Sequence, residues 1–462
     1  MAVTVSQRSR DAAHQLVPPH VTPPARLGGG LTLATRFLRN PLLTLPQSAY
    51  AEDFVAYTGL GPRFAWITGP DLIKSILLDE SHRFEKSVQV RLLAPLLGRG
   101  ILTSEGPDWK WQRQTSAPMF RRQELMSFVP TFLRATHRLL DRWRGSPPGS
   151  VQHIDRDMTA VTFDVICATL LPSGEETAGI AVEVSAARFQ RSGVWRQLYV
   201  LANAPDWLPQ PGNRRIRMAI RALRSSVAQM LQERREAAKQ PDDLMHRLMR
   251  ANDPETGTPM SDEQLIDNLL TFYLAGHETT SKALLWTLYL LACSPEWTRL
   301  LRQEIARVTE GAPVSAEHID KLVLTQQVIK ESMRLYPPVP FTSRQAIADL
   351  TLGSHAIKAG SSAVIPIYAI HRHQKRWQAP NAFDPTRFAP ENESKISRYQ
   401  YMPFGAGPRI CIGMAFAMIE ATTILATLLQ AARFQALADR HPLPIARVSL
   451  HPKGGMPMRV WA

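Results

Sequence analysis

Cysteine is scarce in this chain, with three among 462 residues, at positions 167, 293 and 411. So few thiols exclude a disulfide framework, and the expectation is reduced thiols in a cytoplasmic setting. Cys167 in "FDVICATLL" and Cys293 in "YLLACSPEW" lie in apolar helical patterns and read as small buried hydrophobes. Long apolar runs are lacking too: no stretch reads as the ~18 to 20 apolar residues of a membrane span. The N-terminus carries proline and glycine but no apolar core of a secretion signal. It reads as a flexible lead-in over residues 1–35, ahead of one domain over 36–462. Acidic residues are outnumbered, 40 against 54 Lys and Arg, for a formal charge of +14. No basic run and no nucleic-acid motif goes with that charge, so the expected partner is an acidic protein rather than a nucleic acid. Internal repeats and low-complexity linkers are absent, which leaves nothing to divide the domain.

What is present is mainly helical. "DWKWQRQTSAPMFRRQELMSFVPTFLRATHRLLDRWR" repeats apolar residues every three or four positions, and "NRRIRMAIRALRSSVAQMLQERREAAK" is a basic amphipathic helix. Strand signals are few, the best being "FAWITG" near residue 64 and "SSAVIPIYAI" near 361. The expected fold is therefore mainly α with minor β. One helix stands out, in "SDEQLIDNLLTFYLAGHETTSKALLWTLYLLACSP". Ser261 with Gln264 forms a capping box, and Ser294 followed by Pro295 marks the stop. About 30 residues at 1.5 Å each span ~45 Å, so this helix must cross the core. Its middle, Ala275 to Thr280, breaks the apolar pattern with a glycine, an acid and two threonines. A buried carboxylate costs several kcal/mol unless paired, so the segment reads as an opened groove beside a polar pair.

The third cysteine sits differently. "FGAGPRICIG", Phe404 to Gly413, surrounds Cys411 with Gly405, Gly407 and Gly413. Glycines there permit backbone geometry closed to other residues, and such a loop can aim its amides at the sulfur. With Arg409 two positions away, those hydrogen bonds would favour a thiolate, suited to a metal ligand or a nucleophile. Zinc needs further Cys or His at close spacing, and none is present. A nucleophile wants a histidine base, and the sequence identifies none. A single axial ligand to a haem iron needs no second thiol.

"FGAGPRICIG" resembles the haem-binding signature of the cytochrome P-450 family, FxxGxRxCxG, at every fixed position. Other motifs follow in that family's order. "ESMR" matches ExxR, pairing Glu331 and Arg334 on one helical face. "FDPTRF" supplies Arg387 as third member of a structural network, with Thr386 where the family often has Glu. "AGHETT" resembles the oxygen-activation motif, making Thr279 the catalytic alcohol and Glu278 its acid partner, with Ala275 and Gly276 leaving room beside them. A hydroxyl can order water and a carboxylate can relay protons from solvent. The resemblance covers about residue 40 onward. It implies a helical triangular prism with a small β-rich region, and one haem b (iron protoporphyrin IX) ligated by Cys411. Trp109 and Arg113 in "DWKWQRQ", Arg344 and Arg409 would meet the haem propionates, while Phe404 would pack near the sulfur.

The implied activity is monooxygenation: dioxygen is activated and one oxygen atom enters a lipophilic small molecule. Segments 89–101, 188–210 and 338–343, the long helix before Ala275, and 453–458 are rich in Leu, Val, Phe, Trp and Met. They suit a fatty acid, terpenoid or aromatic substrate. Arg91 and Arg196 could each bind a carboxylate but read better as solvent-facing. No flavin, nicotinamide or iron–sulfur segment accompanies the motifs, so electrons are expected from a separate ferredoxin or flavodoxin with its reductase. Lys110, Arg121, Arg122, Lys395 and Arg398 are the candidates for its docking face. A cytoplasmic monomer without a membrane span is expected. The competing readings are a haem-thiolate peroxygenase or isomerase, and a haem-binding sensor without turnover.

Overall fold

The helix announced by the capping box is the axis of the molecule. It runs Asp262–Ala292, with the Ser261 side chain and the Gln264 side chain capping each other's backbone as expected. The computed structural model describes residues 16–57, 63–86, 88–170, 213–236, 243–253 and 255–462. From Thr280 to Leu291 every residue of this helix is buried, whichever way it points. A helix apolar all round can only be stable inside a core. It lies against helices Ile154–Leu170, Val323–Leu335 and Met414–Ala431. Trp286 anchors the contact: it stacks on Tyr336 at 4.0 Å between ring centroids, and its indole N–H donates to the Leu450 carbonyl at 3.1 Å. Burying each such leucine or aromatic contributes roughly 2 kcal/mol.

The fold is mainly α with minor β, as the sequence implies. The largest sheet has five strands, in the order Phe54–Ala56, Phe64–Ile67, Ser362–Ile365, Thr342–Ala346, Phe84–Lys86. Both expected strands are in it, paired in parallel. The second is shorter than its apolar run, because Pro366 ends it and Ile367–Ile370 turns helical. The outermost pair sets Lys86 directly opposite Arg344. Elsewhere, the hairpin Pro444–Ala446 with Leu450–Pro452 approaches the long helix through the Trp286 bond.

Four expectations change. The helical stretch from residue 108 to 144 divides into Gly106–Ser116, a 3-10 turn Ala117–Phe120, Arg122–Met126 and Val129–Arg144. Pro118 and Pro130 supply no amide N–H and so fall where helices start. The lead-in of 1–35 is not loose among its described residues. Val21 joins the core, the Leu16 carbonyl accepts from Phe383 N–H at 2.9 Å, and Tyr336 donates to the Pro19 carbonyl at 2.7 Å. One helix, Met414–Ala431, is long and apolar enough to cross a membrane, contrary to the sequence reading; 67% of it is buried inside the fold. Cys167 and Cys293 are half-buried rather than fully enclosed, and none of the three cysteines forms a disulfide.

Candidate active site

The cysteine loop is wound by two of its three glycines. Gly405 and Gly407 have φ of 74° and 72°, the left-handed region that L side chains rarely adopt. At Gly407 a Cβ would also sit 2.2 Å from the Leu77 carbonyl oxygen. Gly413 is different: its φ is −85°, and a Cβ there would meet only the Cys411 sulfur at an ordinary 3.9 Å. Its value is its amide N–H, which hydrogen-bonds that sulfur. The Phe404 carbonyl accepts from Cys411 N–H at 2.9 Å and closes the turn, while its ring packs against the core.

The charge partner of the thiol is Arg113, not Arg409. Cys411 keeps exposed surface, yet desolvation by the surrounding loop pushes its thiol up, and Gly413 N–H and the Arg113 guanidinium only partly oppose this. Without a bound metal ion the sulfur therefore keeps its proton, against the sequence expectation that loop amides with Arg409 favour thiolate. Arg113 has no side-chain hydrogen bond or ion pair among the described residues, and burial lowers its pKa. Arg409 turns instead to Glu105 at 2.5 Å and to the Ser104 carbonyl at 2.9 Å, with its guanidinium 3.9 Å from the centre of the Trp109 ring. Trp109 and Arg409 are thus brought together as the motifs suggest.

Arg344 joins them through the sheet. Among the described residues it finds only the Ser343 carbonyl at 2.8 Å and Thr342 Oγ1 at 3.4 Å, and no carboxylate within ion-pair distance. Beside it stands Lys86, which sequence reasoning missed. Burial, then Arg409, press its ammonium down to about 7 against the pull of Glu105. The same burial holds Arg409 down at about 10. Lys86, Arg344 and Arg409 share the single carboxylate of Glu105, an excess of two positive charges in a desolvated place. Like charges opposite each other on paired strands repel, so an anion is wanted there. Haem brings two propionates. The residues present fit that group, with Cys411 for its iron and the cationic cluster for its carboxylates.

The knot beyond the loop is self-sufficient. Arg334 holds Glu331 through two bonds of 2.7 Å, both side chains fully buried. Its remaining donors go to the carbonyls of His371, Pro380 and Ala382. Arg387 approaches Glu331 Oε1 at 3.5 Å, a charge contact without an aligned hydrogen bond. His371, neutral with its pKa pressed to about 3 by burial, accepts from Met402 N–H at 2.9 Å and so ties the knot to the cysteine loop.

On the long helix the polar segment takes three directions. Thr279 donates to the Ala275 carbonyl at 2.9 Å, and Ala275 itself is exposed. Gly276 does not open space for a ligand: a Cβ there would lie 2.7 Å from Ile166 Cδ1, so its bareness serves close packing of helix Ile154–Leu170. Glu278 turns to the hairpin. Its Oε1 accepts from Ser449 Oγ at 2.7 Å and lies 3.4 Å from His451 Nε2. Burial works to raise its pKa, but those bonds and the Lys282 ammonium outweigh it and hold the carboxylate at about 2. A second acid, Glu420, is buried beside Thr280 with one carboxyl oxygen unpartnered, and burial pushes its pKa well above the usual carboxylate range. No motif marks Glu420, Ser449 or His451.

Around the first half of the helix, Leu96, Ile101, Phe163, Leu223, Leu269 and Phe272 belong to one apolar cluster. Segment 188–210, with Arg196, lies outside the described residues. Arg91 is exposed, as are Lys110, Arg121, Arg122, Lys395 and Arg398, and Arg122 is paired with Asp320.

The family model described as cytochrome P-450 matches residues 49–457. A cyclooctat-9-en-7-ol 5-monooxygenase of Streptomyces melanosporofaciens is 31% identical over 396 residues, 84% of each chain. A cytokinin hydroxylase of Arabidopsis thaliana is 32% identical over 423 residues, 88% of this chain and 80% of that one. The crystal structure of a cytochrome P-450 haem domain shares the fold, with a TM-score of 0.82 at 24% identity over 96% of this chain and 98% of that one.

Proposed function

This chain belongs to the cytochrome P-450 family, and from that premise we propose that Cys411 ligates its haem and that Thr279 and Glu278 serve its oxygen chemistry on a lipophilic substrate. The enzyme is a monooxygenase, and members of the family bind haem through a cysteine thiolate. When bound, the haem supplies reductive activation of dioxygen and delivery of one oxygen atom to the substrate.

The chain's own residues hold, screen and protonate. Cys411 gives up its proton to become the ligand, with Gly413 N–H and Arg113 stabilising the sulfur charge. Lys86, Arg344 and Arg409 take the propionates, which relieves the excess charge they share around Glu105. Thr279 Oγ1 uses its hydrogen on the Ala275 carbonyl, so its lone pairs are left to accept from a water. Glu278, one residue earlier, is the adjacent group able to hold and pass a proton. The observation that carries the assignment is the crowd of desolvated cations beside the cysteine loop, with too little negative charge of its own.

The substrate proposed is a lipophilic molecule of the fatty acid, terpenoid or aromatic class. The apolar cluster around the first half of the long helix supports it. So do the relatives whose names give cyclooctat-9-en-7-ol and cytokinins as what they oxidise. Electrons come from a separate acidic ferredoxin or flavodoxin with its reductase, drawn to the exposed Lys110, Arg121, Lys395 and Arg398. A cytoplasmic monomer fits three cysteines without a disulfide among them.

The test is the difference spectrum of the dithionite-reduced protein with carbon monoxide. A strongly red-shifted Soret band is expected, lost in Cys411→Ala. An ordinary Soret band in the wild-type protein would remove Cys411 from the iron and the oxygen chemistry with it.

A further inference from the structure

Glu278 is the acid assigned above, yet it is held as a deeply ionised carboxylate. A group in that state can pass on a proton only after receiving one. Its surroundings show where from. Three polar groups form a chain out of the core: Glu278 Oε1 accepts from Ser449 Oγ at 2.7 Å, Ser449 Oγ lies 3.0 Å from His451 Nε2, and His451 Nε2 lies 3.4 Å from Glu278 Oε1. The side chain of Glu278 is 13% exposed and that of His451 is 34% exposed, so the chain runs from the helix to water. The hairpin fixes the outer members, through the pairs Ile445↔His451 and Ala446↔Leu450 and the Arg447 N–H bond to the Ser449 carbonyl at 2.9 Å.

On the inner side stands Lys282, four residues along the helix. Its ammonium reaches Thr159 Oγ1 at 3.4 Å and also feels Asp155, whose carboxylate accepts from Met456 N–H at 2.9 Å. Lys282 is buried, as is Thr159 in part, so it stabilises the Glu278 charge without offering a path to solvent. The exposed imidazole does offer one.

We propose that Ser449 and His451 are the proton entry to Glu278, a reading that rests on Glu278 being the acid beside Thr279. In the transfer, the Nε2–H bond of a protonated His451 breaks as Ser449 Oγ takes that hydrogen. Ser449 passes its own hydrogen to Glu278 Oε1, forming a new O–H bond. The neutral imidazole then recovers a proton from water. One proton moves inward and no electrons change hands. Ser449 and His451 are separated from the helix by some 170 residues of sequence. Among the described residues they hydrogen-bond neither the cysteine loop nor the cationic cluster, so altering them leaves haem binding in place.

The experiment uses the haem-loaded protein with Ser449→Ala, Ser449→Thr, His451→Phe and Glu278→Gln. The Glu278 carboxyl carbon is followed by 13C NMR titration in the diamagnetic ferrous carbon monoxide form, assigned by its loss in Glu278→Gln. Turnover uses a ferredoxin with its reductase and the strongest spin-shifting member of a panel of dodecanoate, geraniol and naphthalene. We expect the carbon to titrate at higher pH in His451→Phe and Ser449→Ala than in the wild-type protein. We also expect those two variants to lose coupled turnover about tenfold, below the hundredfold or more of a directly acting acid, with a larger solvent isotope effect and more hydrogen peroxide. Ser449→Thr, which keeps the hydroxyl, should restore all of these. Normal coupling and isotope effect in His451→Phe and Ser449→Ala, while Glu278→Gln uncouples, would overturn the entry and leave Glu278 as the acid. Normal coupling in Glu278→Gln would overturn both.

Discussion

Two charge clusters flank the cysteine loop, and they are balanced in opposite ways. In the Glu331–Arg334 knot each donor and acceptor is matched within the chain, by two bonds of 2.7 Å and three backbone carbonyls. In the cluster of Lys86, Arg344 and Arg409, three cations share the carboxylate of Glu105. The first is complete and holds the fold. The second carries an unmet charge, which the propionates of the proposed haem would balance. Burial alone therefore does not mark a functional residue; burial with an unmet charge does.

Breaking the complete cluster should have the largest effect. Arg334→Ala strips the buried Glu331 of both guanidinium hydrogen bonds and leaves it only Asp384 N–H and the 3.5 Å charge contact of Arg387, for a loss of about 3–5 kcal/mol. Urea unfolding should show it, or no soluble haem protein should be recovered. A mild loss would mean that the knot is as open as the other cluster. An intermediate effect is expected on the incomplete side. Arg113→Ala should fold, because no carboxylate is left stranded, but should release haem to an acceptor globin faster by about 1.5–3 kcal/mol, the range for a hydrogen bond to a charged group. Equal haem retention would place Arg113 outside the site.

The smallest effect is the sharpest, since its sign inverts. Lys86→Gln removes a like-charge pair across two strands, so it should stabilise the haem-free protein by up to about 1 kcal/mol while loosening the haem. The pH dependence follows from the same crowding. In the haem-free protein Lys86 is held at about 7, below lysine's ordinary 10.5. The folded state then resists a proton that the unfolded chain accepts. That penalty is fully present below pH 7 and fades as pH rises towards 10.5, so stability should climb over this window, and less so in Lys86→Gln. Loss of stability in Lys86→Gln without haem would refute the crowding.

Much of this was legible in the primary structure because it is local. The capping box that starts the long helix spans four residues, the Glu331–Arg334 pair spans one helical turn, and the cysteine loop carries its own conformational demands at Gly405 and Gly407. Gly413 and Gly276 were misjudged for a common reason. A glycine's identity does not say whether its backbone angle, its amide or its bareness is what matters. That depends on a neighbour, here the Cys411 sulfur for one and Ile166 for the other.

The sequence alone thus determined the class of fold, the glycine-wound turn of the cysteine loop and the core helix, since a capping box, an apolar period and a glycine's conformational demands all act before any tertiary contact forms. Strand register and hairpin docking decided the rest. Only the sheet sets Lys86 opposite Arg344, and only the hairpin brings Ser449 and His451 to Glu278. Both join residues hundreds of positions apart or nearly so. Charge balance is a sum over such neighbours, and no local pattern encodes it.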